Sequence, residues 1–118
     1  ARGVSLCGWF SDFSFPATDF AATAAFWEKL GFVAMEESDA GYLHQPLVGD
    51  GLGIALHRPR VVDTPMLVFR DPQMRARIAD LKDRQITFSA ELPRGLDPAA
   101  NALLESPEGT SLLLLEET

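Results

Sequence analysis

Few side chains here can do chemistry, and they are thinly spread. The chain has two histidines, His44 and His57, and one cysteine, Cys7. Asp12 and Ser14 alternate with Phe13 and Phe15, and Arg70 closes a second alternating run, Met66 to Arg70. A carboxylate, a hydroxyl, an imidazole and a guanidinium can hold a metal ion, move a proton or fix a ligand, but only if the fold gathers them. Asp12 has a second option, an ion pair with Arg70. Cys7 opens an apolar stretch with no activating neighbours, so it reads as a buried structural thiol rather than a nucleophile. A single cysteine rules out an internal disulfide and fits a reducing compartment.

Ready-made motifs are missing. There is no P-loop, no GxGxxG and no Gly-x-Ser-x-Gly. "GDGLG" has three glycines but neither the lysine nor the following helix of a phosphate loop, and reads as a hairpin turn. "RARIADLKDR" is a solvated helix face carrying both signs of charge. A net charge of -7 disfavours phosphate backbones, which need clustered Lys and Arg, and permits a cationic ligand. Hydrophobic residues at 47% and charged residues at 23% are ordinary for a soluble domain. No apolar run approaches the roughly 18 residues of a membrane span. No basic-then-apolar segment marks a signal peptide. The expectation is a cytoplasmic protein that binds neither nucleic acid nor membrane.

Periodicity shows what must position the candidate residues. A first strand spans about Leu6 to Phe15, with Phe13 and Phe15 on one face and Asp12 and Ser14 on the other. Pro16 stops its pairing. Thr18 or Asp19 caps a helix in which Phe20, Ala24 and Trp27, and also Phe26 and Leu30, recur at helical spacing. Gly31 ends it. Strands near Phe32–Glu36, Gly41–Pro46 and Gly53–Arg58 follow, with a hairpin turn at Gly49–Gly51. "RPRVVDTP" connects to a strand, Met66–Arg70, with Leu67 and Phe69 on one side and Met66, Val68 and Arg70 on the other. Asp71 and Pro72 start a second helix striped by Met74, Ile78 and Leu81. Strands near Ile86–Ala90, Asn101–Glu105 and Ser111–Glu116 complete the chain, the last two joined at "SPEGT" and preceded by the long loop "ELPRGLDPAA".

The order is βαβββ twice. Phe13 matches Leu67, and Phe15 matches Phe69, 54 positions later. The hairpins "DGLGIALH" and "EGTSLLLL" match at 58. This is an internal duplication of pattern with little residue identity.

With the duplication, "TDFAATAAFWEKLGF" and "ESPEGTSLLLLE" make the chain resemble the vicinal oxygen chelate superfamily over nearly its whole length. That superfamily includes glyoxalase I, extradiol dioxygenases, and fosfomycin- and bleomycin-resistance proteins. The resemblance implies a single α+β domain over residues 1–118. Its two tandem βαβββ modules, about 5–60 and 64–118, would form a curled, cup-shaped mixed sheet with helices outside and ligand inside. Phe13 and Phe15 should then meet the helix carrying Phe20 and Trp27, with Trp9 and Trp27 in the core. Asp12, Ser14, Ala55, His57, Met66, Val68, Arg70, Leu113 and Leu115 should line the cup.

Catalytic members of the superfamily hold a divalent metal through His, Glu or Gln on inner strands. Carried onto this chain, those positions fall on Asp12, Ala55, Met66 and Leu113. One is a carboxylate; Ala and Leu cannot ligate, and a Met thioether prefers soft ions. A two-residue slip would promote His57 to a ligand and still leave the second module without one. The expectation is therefore a protein with no metal, no cofactor and no assigned catalytic residue. It binds an organic ligand, antibiotic-like compounds included, as bleomycin-resistance proteins do. Two alternatives stay open: a metal-dependent lyase or dioxygenase with its ligands elsewhere, or a non-catalytic module of a larger assembly. A homodimer is expected by the same resemblance.

Overall fold

The computed structural model describes residues 5–49, 51–60, 62–89, 91–93 and 95–117. Asp50 of the hairpin turn, Val61 of the connection, Ala90 at the end of an expected strand and Arg94 of the long loop lie outside the described residues.

The chain forms β1 (Trp9–Pro16), α1 (Phe20–Lys29), β2 (Val33–Ala34), β3 (His44–Gly49), β4 (Leu52–His57), β5 (Met66–Asp71), α2 (Met74–Asp83), β6 (Ala102–Glu105) and β7 (Ser111–Glu116). All strands join one mixed sheet in the order β2-β3-β4-β1-β5-β7-β6. β1 and β5 pair antiparallel at its centre, and each has a parallel neighbour on its other side, β4 for β1 and β7 for β5. The two halves thus repeat one plan about the β1–β5 seam.

Both helices cover the same face. The Asp19 side chain accepts the Ala22 N–H at 3.1 Å and caps α1. Phe20 and Ala24 then pack on Leu47, Ile54 and Leu56, with Trp27 stacked on Phe15. Met74, Ile78 and Leu81 of α2 pack on Ala102, Leu104 and Leu114. Each fully buried Leu, Ile, Met or Phe among these contributes about 1.5–3 kcal/mol. The side chains that alternate with these point to the opposite, helix-free face, where the site is built.

Several elements differ from the sequence-based expectation. β1 starts at Trp9, and its pairing with β5 slips between Phe10 and Asp12. The extra residue of this bulge, Ser11, breaks the alternation. Trp9 therefore faces Arg70 across the strands, on the helix-free side, and is 62% exposed rather than core. β3 begins at His44, because residues 39–43 leave the sheet and fold over it. In the second module residues 86–89 form no strand, and one backbone bond, Ser89 N–H to Leu103 O at 2.8 Å, marks the place. Asp71 ends β5 rather than capping α2, which begins at Met74. Its carboxylate accepts the Gln73 amide at 2.7 Å and pairs with Arg77 at 2.8 Å. The Gln73 amide first, then Arg77, hold this carboxyl below its usual value against the opposing effect of burial. Cys7 lies partly buried beside the α2 cluster, and burial raises its thiol pKa against the opposing charge of Arg77.

Candidate functional site

The helix-free face can be read as rows running across the strands, since directly paired residues share a face. One row runs Val33, Val48, Gly53, Asp12, Val68, Leu113, Leu103. The next runs Pro46, Ala55, Ser14, Met66, Ser111, Glu105. His44 and His57 pair beyond it, while Trp9, Arg70 and Leu115 form a row on the other side. All nine residues expected to line the cup share this face. The four expected metal positions split between rows: Asp12 and Leu113 in one, Ala55 and Met66 in the other.

The face is not an empty bowl. Over its second half, Met66, Val68, Leu113 and Leu115 pack against Tyr42 and Val62, with Leu92 and Leu96 partly buried beside them. These covering residues come from three segments that are not strands: the β2–β3 loop, the inter-module connection and the long loop before β6. Gly41 makes the first crossing possible. It has a φ of +86°, and a Cβ there would lie 2.7 Å from Leu115 Cδ1, so only glycine fits without displacement.

A chain of hydrogen bonds fastens two of these covers. His57 Nε2 lies 2.7 Å from the Val62 carbonyl oxygen, which can only accept, so Nε2 carries the proton. In the neutral ring Nδ1 then accepts from Ser14 Oγ at 2.7 Å, and Ser14 Oγ accepts from the Tyr42 hydroxyl at 3.1 Å. Burial lowers the His57 pKa, aided by His44 and opposed by the backbone groups of Val62 and Thr64. Burial, then the Asp12 carboxylate, pushes the Tyr42 phenol well above its usual value. The relay is therefore neutral and satisfied. Ser14 and His57 have no exposed surface, so their contact secures the covers and offers no nucleophile to solvent.

Asp12 and Arg70 stay apart. The Arg70 guanidinium donates to Ser11 Oγ at 3.3 Å and to the Ala40 carbonyl at 3.1 Å, which holds the β2–β3 loop down. No ion pair joins it to Asp12 among the described residues. Asp12 is 8% exposed, and its Oδ1 is buried with no hydrogen-bond partner among the described residues.

Open space remains in two clefts. A cleft of about 370 Å³ lies at the β6–β7 end of the helix-free face, with Val62 and Leu103 as its apolar part and Arg60, Asp63, Glu91 and Glu105 around them. Thr64 Oγ1 and Ser111 Oγ, 3.3 Å apart, close one side. A smaller, almost wholly apolar cleft of about 200 Å³ lies at the β1–β5 seam beside Phe13, Phe15 and Leu67. Sequence reasoning missed the first cleft. Its signal was the "ESPEGTS" hairpin, whose register sets Glu105 opposite Ser111 on the face of Leu113.

A resident divalent ion does not fit these residues. Such a site needs several oxygen or nitrogen donors around one point. In Asp12's row the neighbours are Val48, Gly53, Val68 and Leu113. Both His57 nitrogens are engaged, and His44 Nδ1 donates to the Tyr42 carbonyl at 2.8 Å. Among the described residues, no group of three His, Cys, Asp or Glu can hold a metal.

No family model matches the sequence, and no curated protein matches it. Solved structures do match. Methylmalonyl-CoA epimerase from Mycobacterium tuberculosis superposes with a TM-score of 0.70 at 18% identity, covering 100% of this chain and 93% of its own. An NAD-dependent benzaldehyde dehydrogenase structure from Legionella pneumophila gives 0.68 at 17%, covering 90% and 97%. A glyoxalase/bleomycin resistance protein/dioxygenase superfamily member from Vibrio splendidus gives 0.55 at 14%, covering 92% and 99%. At such identities the likeness establishes the fold alone: the chain has the vicinal oxygen chelate fold.

Proposed function

We propose that this protein binds a small organic molecule on the helix-free side of its sheet, without a metal ion and without chemistry of its own. The observation that carries this is the cleft of about 370 Å³, where Val62 and Leu103 meet a rim of opposite charges. Its volume lies within the roughly 300–1,000 Å³ of small-molecule sites. Met66, Val68, Leu113 and Leu115 then act as the packed floor that holds the cleft's walls. Ser14, His57 and Arg70 hold the loops above that floor. No helix among the described residues is long and apolar enough to cross a membrane. A homodimer belongs to the same proposal, supported by exposed apolar side chains such as Phe10, Phe26 and Leu30; so does a cytoplasmic location, which the single cysteine fits.

A thermal-shift screen of aromatic and glycopeptide antibiotics, run with and without EDTA, tests it. A ligand at 100 times its Kd adds about 2.7 kcal/mol to the native state, a rise of roughly 10 °C for a domain of this size. The expected result is a hit whose shift EDTA does not change and Glu105→Gln reduces. Hits that require Ni, Zn, Mn or Fe, or no hit across the library, overturn the proposal.

A further inference from the structure

The first half of the helix-free face is open where the second is covered. Along the row through Asp12, Val68 and Leu113 have no exposed surface, whereas Val48 is 45% and Val33 59% exposed. Met35, whose amide bonds to Pro46 O at 2.9 Å, adds a further exposed apolar side chain on that side. Between this ledge and Asp12 stands Gly53, where a Cβ would lie 3.2 Å from the Ser11 carbonyl oxygen and 3.6 Å from the Asp12 Cβ. A residue without a side chain thus keeps the slot beside the carboxylate clear.

Asp12 lies where cover gives way to open surface. A buried carboxylate oxygen with no donor is costly, and native structures rarely keep one without cause. The nearest cation along the face, Arg70, is committed to Ser11 and Ala40. Among the described residues, Val33, Val48 and Val68 beside the slot are aliphatic, and the nearby Tyr42 hydroxyl is committed to Ser14. An apolar ledge ending at an unpartnered carboxylate complements one kind of small molecule, a cationic head on a hydrocarbon or aromatic body.

We propose that Asp12, Gly53, Val48 and Val33 form a subsite for an organic monocation, an ammonium group meeting Asp12 and its apolar body lying on the two valines. It is separate from the cleft at Glu105 and does not depend on that cleft having a ligand. The net charge of -7 favours the approach of such a cation.

The probe is benzylammonium, with benzyl alcohol as neutral isostere and benzoate as anion, titrated into the 15N-labelled protein. The ammonium should bind at least tenfold tighter than the alcohol, with benzoate weaker still. The shifted amides should cluster at Val33, Val48 and Gly53. Asp12→Asn should remove the preference for the ammonium and leave the alcohol unchanged. Val48→Lys, an exposed position that leaves the core intact, should abolish ammonium binding. Equal binding of ammonium and alcohol, an unchanged ratio in Asp12→Asn, or full ammonium binding by Val48→Lys overturns the subsite. Shifts centred on Asp63 and Glu105 would assign the cation to the other cleft and overturn it as well.

Discussion

Gly41 offers the sharpest test of whether the β2–β3 loop clamps the sheet. Gly41→Ala puts a Cβ on a residue with φ +86° and 2.7 Å from Leu115 Cδ1. Strain at positive φ costs an L-residue about 1–2 kcal/mol. Forcing a methyl into a packed site costs about 1–3 kcal/mol more, and Leu115 is fully buried beneath the loop. Gly51→Ala is the control: its φ is +74°, but nothing lies within 4 Å of the added Cβ, so it should lose the strain alone. Urea denaturation reads the difference. With a slope of about 1–3 kcal/mol per molar, an excess of about 2 kcal/mol separates the two midpoints by roughly 1 M. Leu115→Ala makes room for the methyl, so Gly41→Ala and Leu115→Ala together should cost about 1–2 kcal/mol less than the sum of the singles. If Gly41→Ala costs no more than Gly51→Ala, or the pair is additive, the loop does not press on the sheet and the account of a covered face fails.

Two titrations follow from the same structure. Asp71 has a depressed pKa in the folded chain, so its stabilisation is full above the unfolded value of about 3.9 and is lost as the pH falls through the lower folded value. Asp71→Asn should be less stable at pH 7 by about 1.5–3 kcal/mol, through loss of the charged acceptor for the Gln73 amide and Arg77, and should show a flatter acid-unfolding limb below about pH 4. For His57 the folded pKa is also lowered, so between that value and about 6.5 the unfolded chain binds the proton and the native one does not. Stability should be full above about pH 6.5 and decline as the pH falls toward the folded value, in a chemical-denaturation series across pH 4–8. His57→Gln should flatten that decline, and an unchanged slope would mean His57 titrates alike in both states.

What could be read in advance was whatever alternates without interruption. Ser111–Glu116 and Met66–Arg70 carry one apolar set toward the helices and another away from them, and a period of two leaves no second assignment. Trp9 was misplaced because a bulge at Ser11 shifts every residue before it to the other face, and no residue type announces a bulge. Asp71 followed by Pro72 satisfies the pattern of a helix cap and of an Asx turn alike, and the Arg77 partner that decides between them is spatial. The covers over the sheet were illegible for a deeper reason. Val62, Leu92 and Leu96 belong to no periodic segment, and Tyr42 falls in an expected strand that begins only at His44; the destination of all four is set by the apolar surface awaiting them.

That surface links the missing metal donors to the shape of the site. A row of carboxylates and imidazoles asks for a cation at its centre and keeps water-filled space around it. A row reading Val68, Leu113, Leu103 asks for apolar cover, since an open patch of this kind exposes the chain to association. Tyr42, Val62, Leu92 and Leu96 supply that cover, and the Ser14–His57 relay fastens two of the segments that bring it. The one donor left in the row, Asp12, is stranded where the cover stops. Open surface is thereby left beyond the covered patch, at the cleft between Arg60 and Glu105 and at the ledge beside Asp12, the two places where we propose that ligands bind. In both places a carboxylate meets an apolar wall, and at the ledge the guest we propose is a positive charge held against hydrocarbon.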